Sequence, residues 1–221
     1  MSKSLIPLLL TLKVAGFATL AAFLIGVAFA FLLARARFPG KEWADALLTL
    51  PLVMPPTVLG YYLIVVFGRK GWIGQWLYDT FGVTLMFTWQ GAVLASTVVS
   101  LPLVFKAART AFEGVDPNLE RAARTLGLSE VGVFFRVSLP LAWRGIMAGT
   151  MLAFARAMGE FGATLMVAGN LPGKTQTLSL AIYDAVQGGN DTVAMTLVLL
   201  TSGSCILILV TSGKILKFSL K

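Results

Sequence analysis

The chain has 221 residues, 57% hydrophobic and 13% charged, with a mean hydropathy of +0.83. No soluble domain of this size buries that much apolar surface and no disordered chain carries it, so lipid is part of the solvent. The net charge of +8 then asks which side of a bilayer the charges occupy, and the reading of a nucleic-acid partner is set aside.

A span needs about 20 mostly apolar residues, and five stretches qualify: 12–34, 46–67, 85–105, 146–168 and 194–213. The first carries Lys13 near its outer end. Arg35 and Arg37 follow its apolar run, and no small-residue cleavage site precedes a polar region, so it reads as a retained span, not a signal peptide. The second is interrupted by Pro51, Pro55 and Pro56, each removing a backbone donor, and Thr57 follows with a hydroxyl. A broken helix within a membrane lines a pathway or is a static kink, and both readings stand. Between spans two and three, Trp72 and Trp76 suit a membrane interface. The third span holds Pro102 near its end.

The one long loop covers residues 106–145. Asp116 is a good N-cap, Pro117 fits the first helical position, Glu120 lies in the first turn and Gly127 supplies a left-handed stop. Leu119, Ala122, Ala123 and Leu126 form one apolar stripe, with Glu120, Arg121 and Arg124 off it. Ser129 caps a following helix, 130–138, which Pro140 is expected to end. The stripe either packs on the chain's own membrane domain or is offered to a cytosolic partner.

Span four contains Arg156 and Glu160, four apart and so on one helix face, flanked by Gly159 and Gly162. Charges within a bilayer normally face the protein interior. The pair either locks the span to its neighbours or forms part of an anion path, with Glu160 keeping Arg156 from trapping a divalent anion. The glycines allow close helix approach. Beyond it, 177–186 reads as a short interfacial helix. The stretch Gly169-Asn-Leu-Pro-Gly-Lys-Thr175 has three residues between its glycines where a phosphate loop needs four, so it is a turn. Cys205, the single cysteine, sits in the apolar fifth span as a small hydrophobe.

Orientation follows from the loop cations. Arg35, Arg37, Lys41, Lys106, Arg109, Arg121, Arg124, Arg136, Arg144, Lys214, Lys217 and Lys221 fall on one side; Lys3, Lys13, Arg69, Lys70 and Lys174 fall on the other. Twelve against five places the N-terminus outside and the C-terminus in the cytoplasm. The absence of histidine removes Ser-His-Asp triads and His-ligated metals, which disfavours an intramembrane enzyme. A stand-alone secondary transporter using Arg156 and Glu160 is a further reading, against which stand five spans, no internal repeat and the loop helix.

The run Glu120-Arg-Ala-Ala-Arg-Thr-Leu-Gly127, followed by Val137-Ser-Leu139-Pro140, resembles the EAA loop of ABC-importer permeases. Ala122, Ala123, Gly127, Leu139 and Pro140 match that pattern in spacing. Arg121 stands at the family's Glu position, Val137 at its Ile position, and Glu120 lies one residue earlier, about 100° away around a helix. The resemblance implies an all-α permease of type I with a cytoplasmic coupling helix. That helix would insert into a groove on a separate ATPase subunit, which would hold ATP and Mg, this chain holding no cofactor and no metal. Glu120, Arg121 and Arg124 would be rim charges fixing its register.

The stretches Phe38-Pro-Gly-Lys41, Leu50-Pro-Leu-Val-Met-Pro-Pro-Thr-Val-Leu-Gly60-Tyr, Gly159-Glu-Phe-Gly-Ala-Thr164 and Asn170-Leu-Pro-Gly173 resemble the molybdate permeases. Several of these motifs are shared with sulfate/thiosulfate permeases, and tungstate is nearly identical to molybdate in size and charge. The resemblance implies a single permease domain in a bacterial inner membrane, working as a homodimer with two ATPase subunits and an outside substrate-binding protein. The path candidates are then Pro55, Pro56, Thr57, Arg156, Gly159, Glu160 and Gly162.

Overall fold

Every regular element among the described residues is a helix. The computed structural model describes residues 5–36 and 39–218, with side chains to 208 and at 210. Lys3, Arg37, Phe38 and Lys221, and the side chains of Lys214 and Lys217, lie outside the described residues. In chain order come α1 (Leu5–Arg35), α2 (Lys41–Val53), α3 (Pro56–Phe67), α4 (Trp72–Phe81) and α5 (Trp89–Glu113). There follow α6 (Pro117–Thr125), α7 (Glu130–Val133), a π-helical segment (Phe134–Ser138), α8 (Leu139–Met158), α9 (Gly162–Ala168), α10 (Leu178–Gln187) and α11 (Asp191–Phe218).

Among the described residues, four runs are long and apolar enough to cross a membrane: α1, α5, Glu130–Met158 and, within α11, Asp191–Ile208. The expected first and fifth spans lie within α1 and α11. The third is displaced toward the C-terminus, because α5 starts at Trp89, where the Thr88 hydroxyl accepts the Gly91 N–H at 3.1 Å. The interfacial helix expected over 177–186 is α10.

Span two is broken at its prolines, as expected, and two other expectations are corrected. In span two, α2 and α3 meet at 116°. Met54, ahead of Pro55, is extended, as a residue before proline prefers, and Pro56 opens α3 where its missing N–H costs nothing. With 13 and 12 residues, each half is about 20 Å long, short of a hydrocarbon core, so only the pair together makes a fifth span. Span four is also broken: α8 ends at Met158 and α9 begins at Gly162. Finally, Pro140 does not end the helix that begins at Glu130. The Leu139 N–H reaches back five residues to the Phe134 carbonyl, and this wider turn takes up the place where Pro140 has no donor to offer. The helical run therefore extends to Met158, and the loop expected over 106–145 shrinks to α6 and its short flanks.

Small side chains let the helices approach. Ala15, Ala18, Ala22 and Ala30 of α1, and Ala92, Ala95 and Ala108 of α5, are all buried. A Cβ on Gly149 of α8 would stand 2.3 Å from the Ala107 Cβ of α5, so only glycine permits that crossing. At the end of the bundle near Arg35 and Ser138, the rings of Phe31, Phe112 and Phe134 knit α1, α5 and the π segment together. Centroids lie 5.3 Å apart for Phe31–Phe112 and 4.7 Å for Phe31–Phe134, edge-on pairs each worth about 0.5–1.5 kcal/mol beyond area burial. By contrast, α2 buries no residue. It is held to α5 by Asp45, which pairs with Lys106 Nζ at 2.5 Å and with Arg109.

Candidate functional site

Two places in the fold collect the candidate residues. The first is α6. Its ends form as its residues dictate: Asp116 Oδ1 accepts the Asn118 N–H at 2.8 Å, Pro117 occupies the first turn, and Gly127 has φ +86°. The Leu128 N–H then reaches back to the Ala123 carbonyl at 3.2 Å, closing the C-terminal turn. Ser129 Oγ accepts the Gly132 N–H and starts the next helix.

The helix presents its apolar stripe outward. Leu119, Ala122 and Leu126 are exposed, Leu126 at 84%, and Ala123 alone of the stripe is buried. Arg121 and Arg124 are exposed beside them. Arg124 grips Glu130 with two bonds, Nε to Oε1 at 2.6 Å and Nη2 to Oε2 at 3.0 Å. The Glu130 carboxylate holds the Arg124 guanidinium above its ordinary pKa. Leu139 is half-buried against the core and Pro140 exposed at the start of α8, away from the stripe.

Glu120 departs from expectation. It is not a rim charge: it is 3% exposed and turned into the protein. Its Oε1 accepts from Arg35 Nη2 at 2.5 Å and from Ser138 Oγ at 2.7 Å. A carboxylate can be buried when opposite charge and hydrogen bonds replace its water. Neither partner was among the expected site residues. In the sequence Arg35 reads only as a topology charge, and its separation of 85 positions from Glu120 leaves no local signal.

The second place is where the two broken spans meet. A Cβ on Gly162 would stand 2.7 Å from the Pro56 Cβ, and one on Gly60 would stand 2.6 Å from the Met166 Cβ, so α3 and α9 lie nearly in backbone contact. Pro55, Pro56, Thr57 and Gly159 are exposed on this side, and Gly162 is half-buried. Arg156 and Glu160 do pair, Nη1 to Oε2 at 2.7 Å, but not on one face of a continuous helix. Glu160 lies in the break, 2% exposed, and its Oε1 accepts the Ala163 N–H of α9 at 2.9 Å. One carboxylate thus satisfies a helix start and neutralises a cation. The Arg156 side chain stays about one-third exposed, at 35%, with Glu160 on one flank. Phe161, also in the break, packs its ring on Tyr183 of α10 at 5.1 Å.

Residues 5–219 match the family model for the binding-protein-dependent transport system inner membrane component. The chain is 53% identical over 188 residues to the molybdenum transport system permease protein ModB of Escherichia coli (strain K12), covering 84% of this chain and 82% of that protein. It is 45% identical over 188 residues to the putative molybdenum transport system permease protein YvgM of Bacillus subtilis (strain 168), covering 85% and 83%. It is 37% identical over 187 residues to the sulfate transport system permease protein CysW of Synechococcus elongatus, covering 85% and 65%. Among solved structures, an inward-facing MetNI methionine ABC transporter chain is similar with a TM-score of 0.71 at 20% identity, over 96% of this chain and 93% of that one. A bacterial ABC transporter that imports alginate is similar with a TM-score of 0.77 at 14% identity, over all of this chain and 81% of that one. The helices thus share the fold of ABC importer membrane subunits.

Proposed function

From the premise that the chain belongs to the family of binding-protein-dependent transport system inner membrane components, we propose that it is the permease subunit of an ATP-driven importer of a tetrahedral oxyanion, molybdate. The observation that carries the coupling role is the outward apolar stripe of α6. Leu119, Ala122 and Leu126 are exposed on a helix whose back is anchored by Glu120. A stripe turned away from the chain's own core supports a docking surface for a cytoplasmic ATPase, with Arg121 and Arg124 setting register at its rim. The permeases named for molybdenum, at 53% and 45% identity, support the substrate. Tungstate fits the same chemistry, and the sulfate permease at 37% identity supports sulfate or thiosulfate as the second reading.

In this reading two copies form the path, two ATPase subunits bind α6 from the cytoplasm, and a substrate-binding protein delivers the anion from outside. The N-terminus faces out and the C-terminus faces the cytoplasm. ATP and Mg belong to the ATPase, and this chain catalyses no reaction. Exposed Pro55, Pro56, Thr57 and Gly159, with half-buried Arg156 beside them, face the path, because irregular backbone within a membrane needs a cavity or protein around it. Glu160 and Gly162 support them from behind.

The test is reconstitution of the permease with its ATPase and binding protein in liposomes. ATP-dependent uptake of labelled molybdate, competed by tungstate more strongly than by sulfate, is expected. Uptake without ATP or ATPase would establish a secondary transporter instead, and preference for sulfate would move the chain to the second reading.

A further inference from the structure

Of the roughly 13 Å of docking helix that a partner could push, very little is fixed by apolar packing: α6 buries only Glu120 and Ala123, and Ala123 contributes a single methyl group. A cavity of about 400 Å³ lies behind the helix, lined by Arg35, Lys41, Glu120, Arg121 and Arg124 among others. The attachment of α6 to the membrane body therefore runs largely through charged bonds, the exposed Arg124–Glu130 pair and the buried Glu120 carboxylate, and of these only Glu120 reaches α1 as well as the run into α8. That carboxylate joins three elements at one oxygen: α6 itself, Arg35 at the last position of α1, and Ser138 immediately before α8. Both partner residues are backed by the Phe31–Phe134 ring contact one turn away. From Ser138 the 20 residues of α8 run about 30 Å to the break that carries Arg156 and Glu160.

We propose that Glu120 is a positioning residue for transport: its bonds to Arg35 and Ser138 form the latch by which displacement of α6 moves α1 and α8 together. The proposal rests on the permease reading given under Proposed function. Charge-assisted bonds to a buried group are short, directional and costly to leave half-made, so the latch resists shear in a way that one methyl contact does not. Packed elements respond to such a pull as rigid bodies. Loosening the latch would leave α6 seated on its partner while the bundle fails to follow.

The experiment uses the full complex in liposomes and reads two quantities, molybdate or sulfate taken up and ATP hydrolysed. The variants are Glu120→Gln, Arg35→Gln, the exchange Arg35→Glu with Glu120→Arg, and Ser138→Ala. Glu120→Gln and Arg35→Gln are expected to reach the membrane, to co-purify with the ATPase and to lower uptake per ATP about tenfold, with the exchange recovering a large part of that ratio. Ser138→Ala, which removes one hydroxyl, is expected to lower the same ratio less. An unchanged ratio in all four overturns the latch, as does uptake that falls only in proportion to permease in the membrane. An exchange that recovers nothing, its losses simply multiplying, overturns it too. Failure of the unmodified complex to couple uptake to ATP would defeat the permease reading itself, an outcome distinct from any variant result.

Discussion

Pro56 and Gly162 touch so closely that a Cβ on the glycine would lie 2.7 Å from the proline Cβ. The contact joins the break of one span to the break of another. Gly162→Ala is therefore expected to force α3 and α9 apart, at about 1–3 kcal/mol, the cost of overpacking. Gly159→Ala is the control, since a Cβ there meets only carbonyl oxygens at 3.9 Å. Thermal unfolding in detergent should show a lowered Tm for the first and a small change for the second. Equal shifts would remove the steric argument.

Leu126 is 84% exposed and Ala123 is buried on the same helix. Leu126→Asp is expected to insert and unfold as the unmodified chain does, yet to lose association with the ATPase. Ala123→Asp is expected to destabilise the permease itself, because it buries a charge without a partner. Co-purification together with Tm separates the two. Normal ATPase association of Leu126→Asp would show that the stripe is not the docking face.

Gly127 holds φ +86° with open space where a Cβ would go. Gly127→Ala therefore suffers backbone strain alone, about 1–2 kcal/mol, with no clash. Gly127→Asn is expected to be milder, since asparagine tolerates the left-handed region. The ATPase affinity of the permease should follow the order Gly, Asn, Ala, and Gly127→Asp should abolish association with insertion intact. Binding unchanged across the series would separate the end of α6 from docking.

Arg156 and Glu160 differ sharply in exposure, 35% against 1% for their side chains. Arg156→Gln leaves a buried carboxylate unpaired and is expected to destabilise by about 3–5 kcal/mol. Glu160→Gln keeps an acceptor for the Ala163 N–H and leaves the more exposed cation uncompensated, so stability should fall less. Transport by Glu160→Gln is expected to slow while half-saturation drops to lower anion concentration, the signature of an anion held too tightly. A rise in that concentration, or equal destabilisation by both variants, would count against the arrangement.

Much of α6 was legible in the residues. Asp116 and Ser129 act through bonds to neighbours two and three positions away, Pro117 and Gly127 through their own backbone angles, and this local chemistry alone set both ends of the helix and the start of the next. The prolines of the second span announced a break in the same local way. The break at Gly159–Phe161 and the π turn before Pro140 were not legible. Gly159 and Gly162 read as close-packing positions of a continuous span and Pro140 reads as a stop; the first is broken where Gly162 meets Pro56, and the second is bridged by the Leu139 N–H reaching back to the Phe134 carbonyl.

Sequence alone determined that this chain lives in lipid, that it is helical, and that one short helix between spans has capped ends. These follow from composition and from interactions of short range, which hold in any fold containing the segment. Only the tertiary structure decided which way that helix faces. Glu120 is polar and off the apolar stripe, so its place in the pattern reads as a rim charge, while the stripe itself is open to either the core or a partner; the fold buries Glu120 and turns Leu119, Ala122 and Leu126 outward. The burial of Glu120 comes from Arg35 and Ser138, distant in the chain, which supply in one place the charge and hydrogen bonds that make burying a carboxylate affordable.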